Sequence, residues 1–273
     1  MPSPWTLSRA SPGDYAAFAR LFPELAVPEV TPSATYFATT IVPDAIVLRH
    51  GDAVVGYACA RPRGDRLHVV HVITDPEYRR RGVGRALMAA VAERARAAGF
   101  QRWRLNVKPE NLAARALYER WGMKVVLASV SMRVGWSDVE RIPSTPGVFA
   151  RTLAPADDER FEDAFALSRG EVSSFRATAG RILVGAEDAG GPAGVAAFDP
   201  NLPGASPFRV RSPEHARGLL EGIRSHAAPG QDHVRVFVEG DPALEAALAS
   251  AGAAPALRAL RMEGQIPDGA SCL

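Results

Sequence analysis

A short segment rich in glycine and arginine carries the clearest chemical signal in this sequence. Residues 72–87 read VITDPEYRRRGVGRAL. The glycines at 82 and 84 allow the backbone to approach a ligand closely. Guanidinium groups present planar donor forks that suit phosphate oxygens. The arginines near the two glycines are Arg79, Arg80, Arg81 and Arg85. The segment therefore predicts a site for a phosphate or pyrophosphate group.

A strand and a helix must position this loop. Residues 67–73 are rich in β-branched and apolar side chains, which is typical of a strand. From Val83 onward, apolar residues recur at helical spacing. The loop between them, residues 77–82, then opens a helix whose first N–H groups have no intrahelical acceptor and carry the positive end of the helix dipole. An anion binds favourably at such a helix start.

The spacing of the glycines excludes two common phosphate motifs. A dinucleotide-binding fingerprint would need a third glycine where Leu87 stands, and a P-loop would need Gly-Lys followed by Ser or Thr. The pattern that the sequence does contain is Arg-x-x-Gly-x-Gly. A second block, LNVKPENLAARALYERWGM, follows at residues 105–123. It combines a strand, an asparagine, a helix with a Leu-Tyr pair, and a glycine before an apolar residue.

Both blocks, in this order, resemble the GNAT acyltransferase family. In that family a Gln/Arg-x-x-Gly-x-Gly/Ala loop follows a strand and the dipeptide Asp-Pro, and a second block of this kind lies downstream. The resemblance covers roughly the first half of the chain. It implies acetyl-CoA as co-substrate, no metal, and transfer of the acetyl group to a primary amine of a small molecule or peptide by direct attack on the thioester.

The resemblance also implies roles for individual residues. Tyr118 would protonate the departing thiolate. The strand over residues 67–74 would bulge and splay from its neighbour, and a backbone N–H there would polarise the thioester oxygen. The residues expected to contact acetyl-CoA are Val72, Ile73, Thr74, Arg79, Arg80, Arg81, Gly82, Val83, Gly84, Arg85, Asn106, Asn111 and Ala114.

The sequence leaves the general base open. Several family members carry Glu at the position of Asn106, and asparagine cannot act as a base, although its amide can hydrogen-bond a ligand. His68 occupies the place of the base in the histone and serotonin acetyltransferase branches. His71 is its rival, and strand alternation predicts that His71 lies on the opposite face from His68, Val70 and Val72. A water relay is the third possibility.

Each of these side chains also has a purely structural interpretation. Tyr118 could pack beside Leu117 as an ordinary tyrosine of an amphipathic helix. Asn111 could be an N-cap, which does not exclude contact with the co-substrate. Either histidine could be a neutral residue satisfied within a sheet.

Composition narrows the class of protein. The chain has 32 Lys and Arg, 30 Asp and Glu, and a net charge of +2, which argues against a nucleic-acid partner. Two cysteines predict neither a disulfide framework nor a metal site. No segment resembles a signal peptide or the run of ~20 apolar residues that a membrane span needs. We therefore expect a cytoplasmic protein with no membrane partner.

An internal repeat predicts two domains. Gly122 and Met132 lie 130 positions before Gly252 and Met262, and each Gly follows a predicted helix. At 273 residues the chain is long enough for two α/β units. We predict an α/β fold of two tandem GNAT-like domains, each a mixed, mostly antiparallel sheet flanked by helices. The expected bounds are 1–136 for the catalytic domain, 137–147 for a linker and 148–273 for the second copy.

The second copy lacks the residues that carry the chemistry. It has no arginine-glycine loop, Leu248 stands in place of Tyr118, and Asp241 stands in place of Asn111. We expect it to bind no acetyl-CoA and to serve a monomeric chain as a substitute for a dimer partner. The alternatives are a CoA-binding sensor or scaffold without catalysis, or an acyltransferase that uses another acyl-CoA or a hydroxyl acceptor.

Overall fold

The computed structural model describes residues 4–268 and divides them into two compact units. The first unit takes residues 4–62, 66–126 and 260–268, and the second takes 63–65 and 127–259. This division differs from the predicted bounds at the closing strands. Residues 127–136 belong to the second unit, and residues 260–268 belong to the first.

The strands, in chain order, are β1 (Thr6–Arg9), β2 (Ala45–His50), β3 (Ala53–Arg63), β4 (Arg66–Thr74), β5 (Arg102–Val107), β6 (Lys124–Gly135), β7 (Phe149–Thr152), β8 (Ile182–Asp188), β9 (Gly191–Asp199), β10 (Gly204–Val210), β11 (His233–Glu239) and β12 (Ala254–Gln265). The α-helices are α1 (Tyr15–Leu21), α2 (Ala34–Tyr36), α3 (Val83–Ala97), α4 (Leu112–Arg120), α5 (Asp158–Ala164), α6 (Glu171–Arg176), α7 (Ala216–Arg224) and α8 (Pro242–Ser250). A π-helix, Phe37–Ile41, follows α2 directly. Between residues 4 and 268, no helix has the length and apolar character needed to cross a membrane.

Each unit contains a mixed sheet, which confirms the predicted fold class. The strand order is β1-β2-β3-β4-β5-β12 in the first unit and β6-β11-β10-β9-β8-β7 in the second. The registered pairs are antiparallel in both units except β4 with β5 and β10 with β11, which are parallel. The closing strand of each sheet comes from the other half of the sequence, because β5 pairs with β12 and β11 pairs with β6.

The parallel pair in the first unit opens into a wedge. Its ladder runs from Arg66↔Arg102 to Val69↔Leu105, while β4 continues to Thr74. On its other edge β5 pairs with β12 over its whole length, from Arg102↔Gln265 to Val107↔Leu260. Among the described residues, the backbone of residues 70–74 therefore has no ladder with β5. This is the predicted splay of the two strands.

Two apolar clusters cover the two faces of this sheet. On one face, buried α3 side chains such as Leu87 and Val91 pack with Trp103 and Leu105. On the other face, α1 and the π-helix bury Phe18 and other side chains against β2, β3 and β4. The amphipathic pattern of α3 thus fixes which face of the helix packs on the sheet, and its N-terminus follows the loop after β4.

The alternation of side chains between the two faces of the sheet shifts by one residue where β4 parts from β5. Leu67, Val69 and Val72 pack into the cluster under α3, whereas Val70 and Ile73 pack into the cluster under α1. Regular alternation would put residues 69 and 73 on one face and 70 and 72 on the other. One extra residue at 70–71 therefore bulges the strand, as the family resemblance implied.

Candidate active site

The start of the loop after β4 is held by Asp75. Its carboxylate accepts a hydrogen bond from the backbone N–H of Glu77 at 3.0 Å and caps a short 3₁₀ turn. Its own N–H donates to Val55 O at 2.9 Å. The Arg20 guanidinium donates to the same carboxylate at 2.5 Å. These contacts fix the direction in which the chain leaves the sheet.

Two glycines shape the start of α3. Gly82 is the N-cap and has φ 88°, a left-handed conformation that favours glycine. At Gly84 a Cβ would lie 3.3 Å from Leu117 Cδ2 and 3.6 Å from Thr74 Oγ1. The missing side chain at Gly84 therefore lets the first turn of α3 lie close to α4 and to the end of β4.

The loop arginines are exposed, and they differ in their partners. Arg79 donates to the Glu24 carboxylate. The Arg81 guanidinium lies 5.4 Å from the centroid of the Tyr78 ring. Within residues 4–268, Arg80, Arg81 and Arg85 form no ion pair, so three positive charges surround the N-terminus of α3. Together with the glycine backbone, these charges fit a pyrophosphate group.

Tyr118 lies on α4, beside this helix start. Its side chain is 7% exposed and packs in the cluster that contains Val83 and Leu87. Burial raises the pKa of Tyr118 to about 12, so the phenol stays protonated at neutral pH. Among the described residues, the Tyr118 hydroxyl has no hydrogen-bond partner. Tyr118 is therefore a buried, protonated hydroxyl near the start of α3.

Two asparagines flank the wedge on the β5 side. Asn111 Oδ1 accepts a hydrogen bond from Ala114 N at 3.1 Å, so the N-cap role of Asn111 is confirmed. Asn106 lies on β5 just past the point where the strands part. Its Oδ1 is buried and has no hydrogen-bond partner within residues 4–268. A buried amide oxygen of this kind is positioned to accept a hydrogen bond from a bound ligand.

The prediction that His71 and Val70 lie on opposite faces of β4 was wrong. The His71 ring lies 5.9 Å, between ring centroids, from both Phe22 and Tyr57, in the cluster that also contains Val70. The bulge at 70–71 breaks the alternation on which the prediction depended. Burial, reinforced by the charge of Arg61, lowers the pKa of His71 to about 3, so His71 is neutral at physiological pH and a weak base.

His68 lies in a different part of the strand. It pairs with Arg104 inside the parallel ladder, one residue before the ladder ends. Because Leu67 and Val69 pack under α3, alternation places His68 on the face of α1. His68 and Tyr118 therefore approach the wedge from opposite faces of the sheet.

Sequence reasoning missed several residues of the site. Arg20, Glu24 and Lys108 tie the segment after α1 to both loops at the mouth of the wedge: Arg20 binds Asp75, Glu24 binds Arg79, and Lys108 Nζ donates to Ala26 O. The partners are 55 to 82 positions apart in sequence, so no local pattern could have indicated them. Among residues 4–268, no cluster of His, Cys, Asp and Glu could hold a metal ion.

The comparisons with known proteins agree with this geometry. The profile of the Acetyltransferase (GNAT) family matches residues 16–123, which contain the loop, the wedge and Tyr118. This part of the chain is similar to the GNAT family. This confirms the family that the two sequence blocks indicated.

The chain also resembles individual family members. A mycothiol acetyltransferase from Mycolicibacterium smegmatis is 36% identical over 109 residues, which are 39% of this chain and 36% of that protein. Human N-acetyltransferase 8 is 35% identical over 79 residues, 27% of this chain and 35% of that protein. The matched part of this chain thus spans about a third of the length of these curated relatives.

Two solved structures share the fold over nearly the whole chain. A tandem GNAT protein from the clavulanic acid biosynthesis pathway has a TM-score of 0.65 at 19% identity and covers 97% of this chain and 99% of its own. A GCN5-related N-acetyltransferase from Sphaerobacter thermophilus has a TM-score of 0.65 at 22% identity, with 98% of each chain covered. At these identities the likeness shows the fold, and it confirms the tandem arrangement.

Proposed function

We propose that the protein is an acetyl-CoA-dependent N-acetyltransferase that acetylates a primary amine by direct attack on the thioester. The observation that carries the proposal is the N-terminus of α3, with its glycines and three arginines that form no ion pair among the described residues, next to the open β4–β5 wedge. Tyr118 packs in the apolar cluster that contains Val83, at the start of α3. The family and the relatives named as acetyltransferases support it.

The co-substrate would bind along the loop and the wedge. The N–H groups at the start of α3 and the guanidinium groups of Arg80, Arg81 and Arg85 would hold the pyrophosphate. The unladdered backbone of residues 72–74 would bind the pantetheine arm, with Asn106 opposite it on β5. Arg79 would join the phosphate contacts only by leaving Glu24. Asn111 and Ala114 lie at the start of α4, on the same side of the wedge as Asn106.

Acetyl-CoA supplies an activated acyl group when it is bound; the protein supplies orientation and proton transfer. The acceptor must lose a proton, because an alkylamine has an ordinary pKa near ~10. His68 or a water relay takes that proton, and the neutral nitrogen bonds to the carbonyl carbon. A backbone N–H of residues 72–74 stabilises the oxygen that becomes negative. As the carbon–sulfur bond breaks, Tyr118 donates its proton to the sulfur.

The second candidate is a CoA-binding sensor that no longer catalyses transfer. A protein that only binds CoA has no use for a proton donor, so a tyrosine packed beside the start of α3 favours the enzyme. Another acyl-CoA, or a hydroxyl acceptor, remains compatible with the same site.

Tyr118→Phe tests the proposal, because it keeps the packing and removes only the proton donor. Release of free thiol from acetyl-CoA is measured over a panel of amines, and acetyl-CoA binding is measured by calorimetry. We expect turnover to fall by roughly 10²-fold with little change in affinity. Tyr15→Phe is the matched control, since the Tyr15 hydroxyl donates to Pro32 O at 3.0 Å, away from the loop. Binding of acetyl-CoA without thiol release by any acyl acceptor would favour the sensor.

A further inference from the structure

Two buried polar atoms lie on neighbouring rings of the apolar cluster under α1. Tyr57 Oη and His71 Nδ1 are both buried, and neither has a hydrogen-bond partner within residues 4–268. Their rings are 5.9 Å apart, between centroids, and are nearly perpendicular, at 86°. The Tyr57 side chain itself is only 2% exposed. A buried polar atom without a hydrogen bond costs about 1–3 kcal/mol, so two such atoms on neighbouring rings indicate a ligand or an ordered water.

Their position connects them to the wedge. His71 is the second residue after the ladder between β4 and β5 ends at Val69. The bulge at 70–71 turns its side chain toward Phe22 and Tyr57. The same bulge leaves the following backbone free for the co-substrate. One local distortion therefore serves both the co-substrate and a second ligand on the α1 face.

The wall opposite these atoms is irregular. A π-helix, Phe37–Ile41, lies over the sheet and buries Phe37 and Thr40. Such helices recur at functional sites, because the extra residue per turn re-aims side chains. Phe18 packs against both Phe37 and Tyr57, with ring centroids 4.5 Å and 5.4 Å away. The wall is thus aromatic and apolar.

The charges near the two atoms are already balanced. Arg61 Nε lies 3.0 Å from the Asp44 carboxylate, and an Arg61 guanidinium N–H donates to Thr40 O at 2.8 Å. The charge of Arg61 also helps to lower the pKa of His71. A second cation at this place would face Arg61 with no carboxylate left for it. An uncharged polar group would meet two neutral hydrogen-bonding side chains.

We propose that Tyr57 and His71 form the far end of the acceptor subsite and select amines whose opposite end carries an uncharged hydrogen-bonding group, a hydroxyl or an amide. Such acceptors place the amine toward the wedge, an apolar body against Phe18 and Phe22, and the polar end at Tyr57 Oη and His71 Nδ1. This inference deepens the proposed function and rests on it for the location of the reacting amine. Diamines are disfavoured by the buried charge of Arg61.

The test compares three amines of equal chain length. Dissociation constants of 5-amino-1-pentanol, pentylamine and 1,5-diaminopentane are measured by calorimetry on the full chain with CoA present. We expect the amino alcohol to bind about 10-fold more tightly than pentylamine, as one hydrogen bond to a buried neutral pair allows. We expect the diamine to bind most weakly. Equal affinity for the amino alcohol and pentylamine would overturn the inference.

Tyr57→Phe separates recognition from structure. It removes a hydroxyl that binds no protein atom, so thermal stability should stay the same or rise. The preference for the amino alcohol should fall to less than about 2-fold. Tyr15→Phe, in the same cluster but with its hydroxyl bonded to Pro32, should keep the preference. A preference that persists in Tyr57→Phe would reassign the hydroxyl to packing. The readout of this test is binding. Failure of the proposed function would instead be seen as the absence of thiol release, so the two failures are distinguishable.

Discussion

The same place in the two units, a helix start after a parallel strand, has opposite electrostatics. In the first unit, α3 begins at a left-handed glycine, and Arg80, Arg81 and Arg85 beside it form no ion pair with any described residue. In the second unit, α7 follows β10 through residues 211–215, and acidic side chains fill the loop. Arg211 donates to the Asp188 carboxylate, and Ser212 Oγ donates to Glu214 Oε2 at 2.6 Å. His215 Nε2 lies 3.1 Å from the same Asp188 carboxylate.

The difference shows why only the loop of the first unit is suited to the proposed anion site. The hydrogen bond from Arg211 lowers the pKa of Asp188, and that from Ser212 lowers the pKa of Glu214, so both carboxylates remain charged at neutral pH. The second copy therefore supplies its own anion, Asp188, to Arg211 of this loop. The two copies do share a structural role at the next helix. Asp241 Oδ1 accepts a hydrogen bond from Leu244 N at 2.9 Å and caps α8, as Asn111 Oδ1 accepts one from Ala114 N at 3.1 Å and caps α4.

The largest effect should follow from truncation at residue 136. The first unit would lose the ladder from Leu260↔Val107 to Gln265↔Arg102, and with it the fully buried Met262. Each lost apolar side chain removes about 1.5–3 kcal/mol, and β5 becomes an exposed edge that can pair with other chains. We expect residues 1–136 to aggregate, as measured by size-exclusion chromatography.

A matched fragment sharpens this test. Residues 260–268, joined by a Gly/Ser linker ahead of residues 4–126, restore the missing strand without the second unit. We expect this chain to be soluble and to bind acetyl-CoA. A monomeric, fully active fragment 1–136 would show that the strand from the other half of the sequence is dispensable.

The sequence predicted the loop after β4. It did not predict that β5 pairs with β12, a strand from the other half of the chain. Gly82, Gly84 and the arginines act within a few residues of one another, so their types and spacing carry the signal. The choice between β6 and β12 as the partner of β5 depends on contacts about 155 positions apart, and both strands have a similar alternating pattern. The family resemblance implied a bulge in this strand, but its position at 70–71 was not predicted, because no glycine or proline marks it.

Gly84→Val should have the next largest effect. A Cβ at Gly84 would lie only 3.3 Å from Leu117 Cδ2, so the two valine methyl groups must displace Leu117 or cover the N–H groups of the first turn. We expect the dissociation constant of acetyl-CoA to rise about 10²-fold, which corresponds to losing one or two charge-assisted hydrogen bonds. Gly13→Val is the control, because its Cβ would meet only Ser11 Oγ at 3.5 Å. Unchanged binding by calorimetry, in a variant with a native circular dichroism spectrum, would remove the loop from the site.

His68→Ala should have a smaller effect on rate and a specific effect on pH dependence. A base works only when it is deprotonated, so activity should fall as the pH drops through the pKa of the base, near ~6.5 for an ordinary histidine. We expect kcat/KM to fall about 10-fold and the acidic limb of its pH profile to disappear. His71→Asn should keep that limb, since the pKa of His71 is about 3 and lies below the assay range. If the acidic limb of the pH profile of kcat/KM keeps its shape in His68→Ala, a water relay and not His68 takes the proton from the amine.

The smallest effect should come from the loop of the second unit, and it tests the comparison most directly. We expect titration to give one acetyl-CoA per chain, and still one in the double variant Asp188→Asn, Glu214→Gln. Neutralising Asp188 and Glu214 frees Arg211 but does not create a loop that can hold a pyrophosphate group. The N-cap of α7 is His215 with φ −84°, not a left-handed glycine. At Gly218 a Cβ would lie 2.5 Å from Val148 Cγ1, so that glycine serves packing and not a ligand.

Thermal unfolding provides the positive control for this double variant. Carboxylates with lowered pKa stabilise the fold above their unfolded pKa of about 4, and this stabilisation is lost as the pH falls through the folded value. The melting temperature of the wild type should therefore drop between about pH 5 and pH 3 by more than that of the double variant. A second acetyl-CoA site in the double variant would mean that the two acidic residues alone had silenced the second copy.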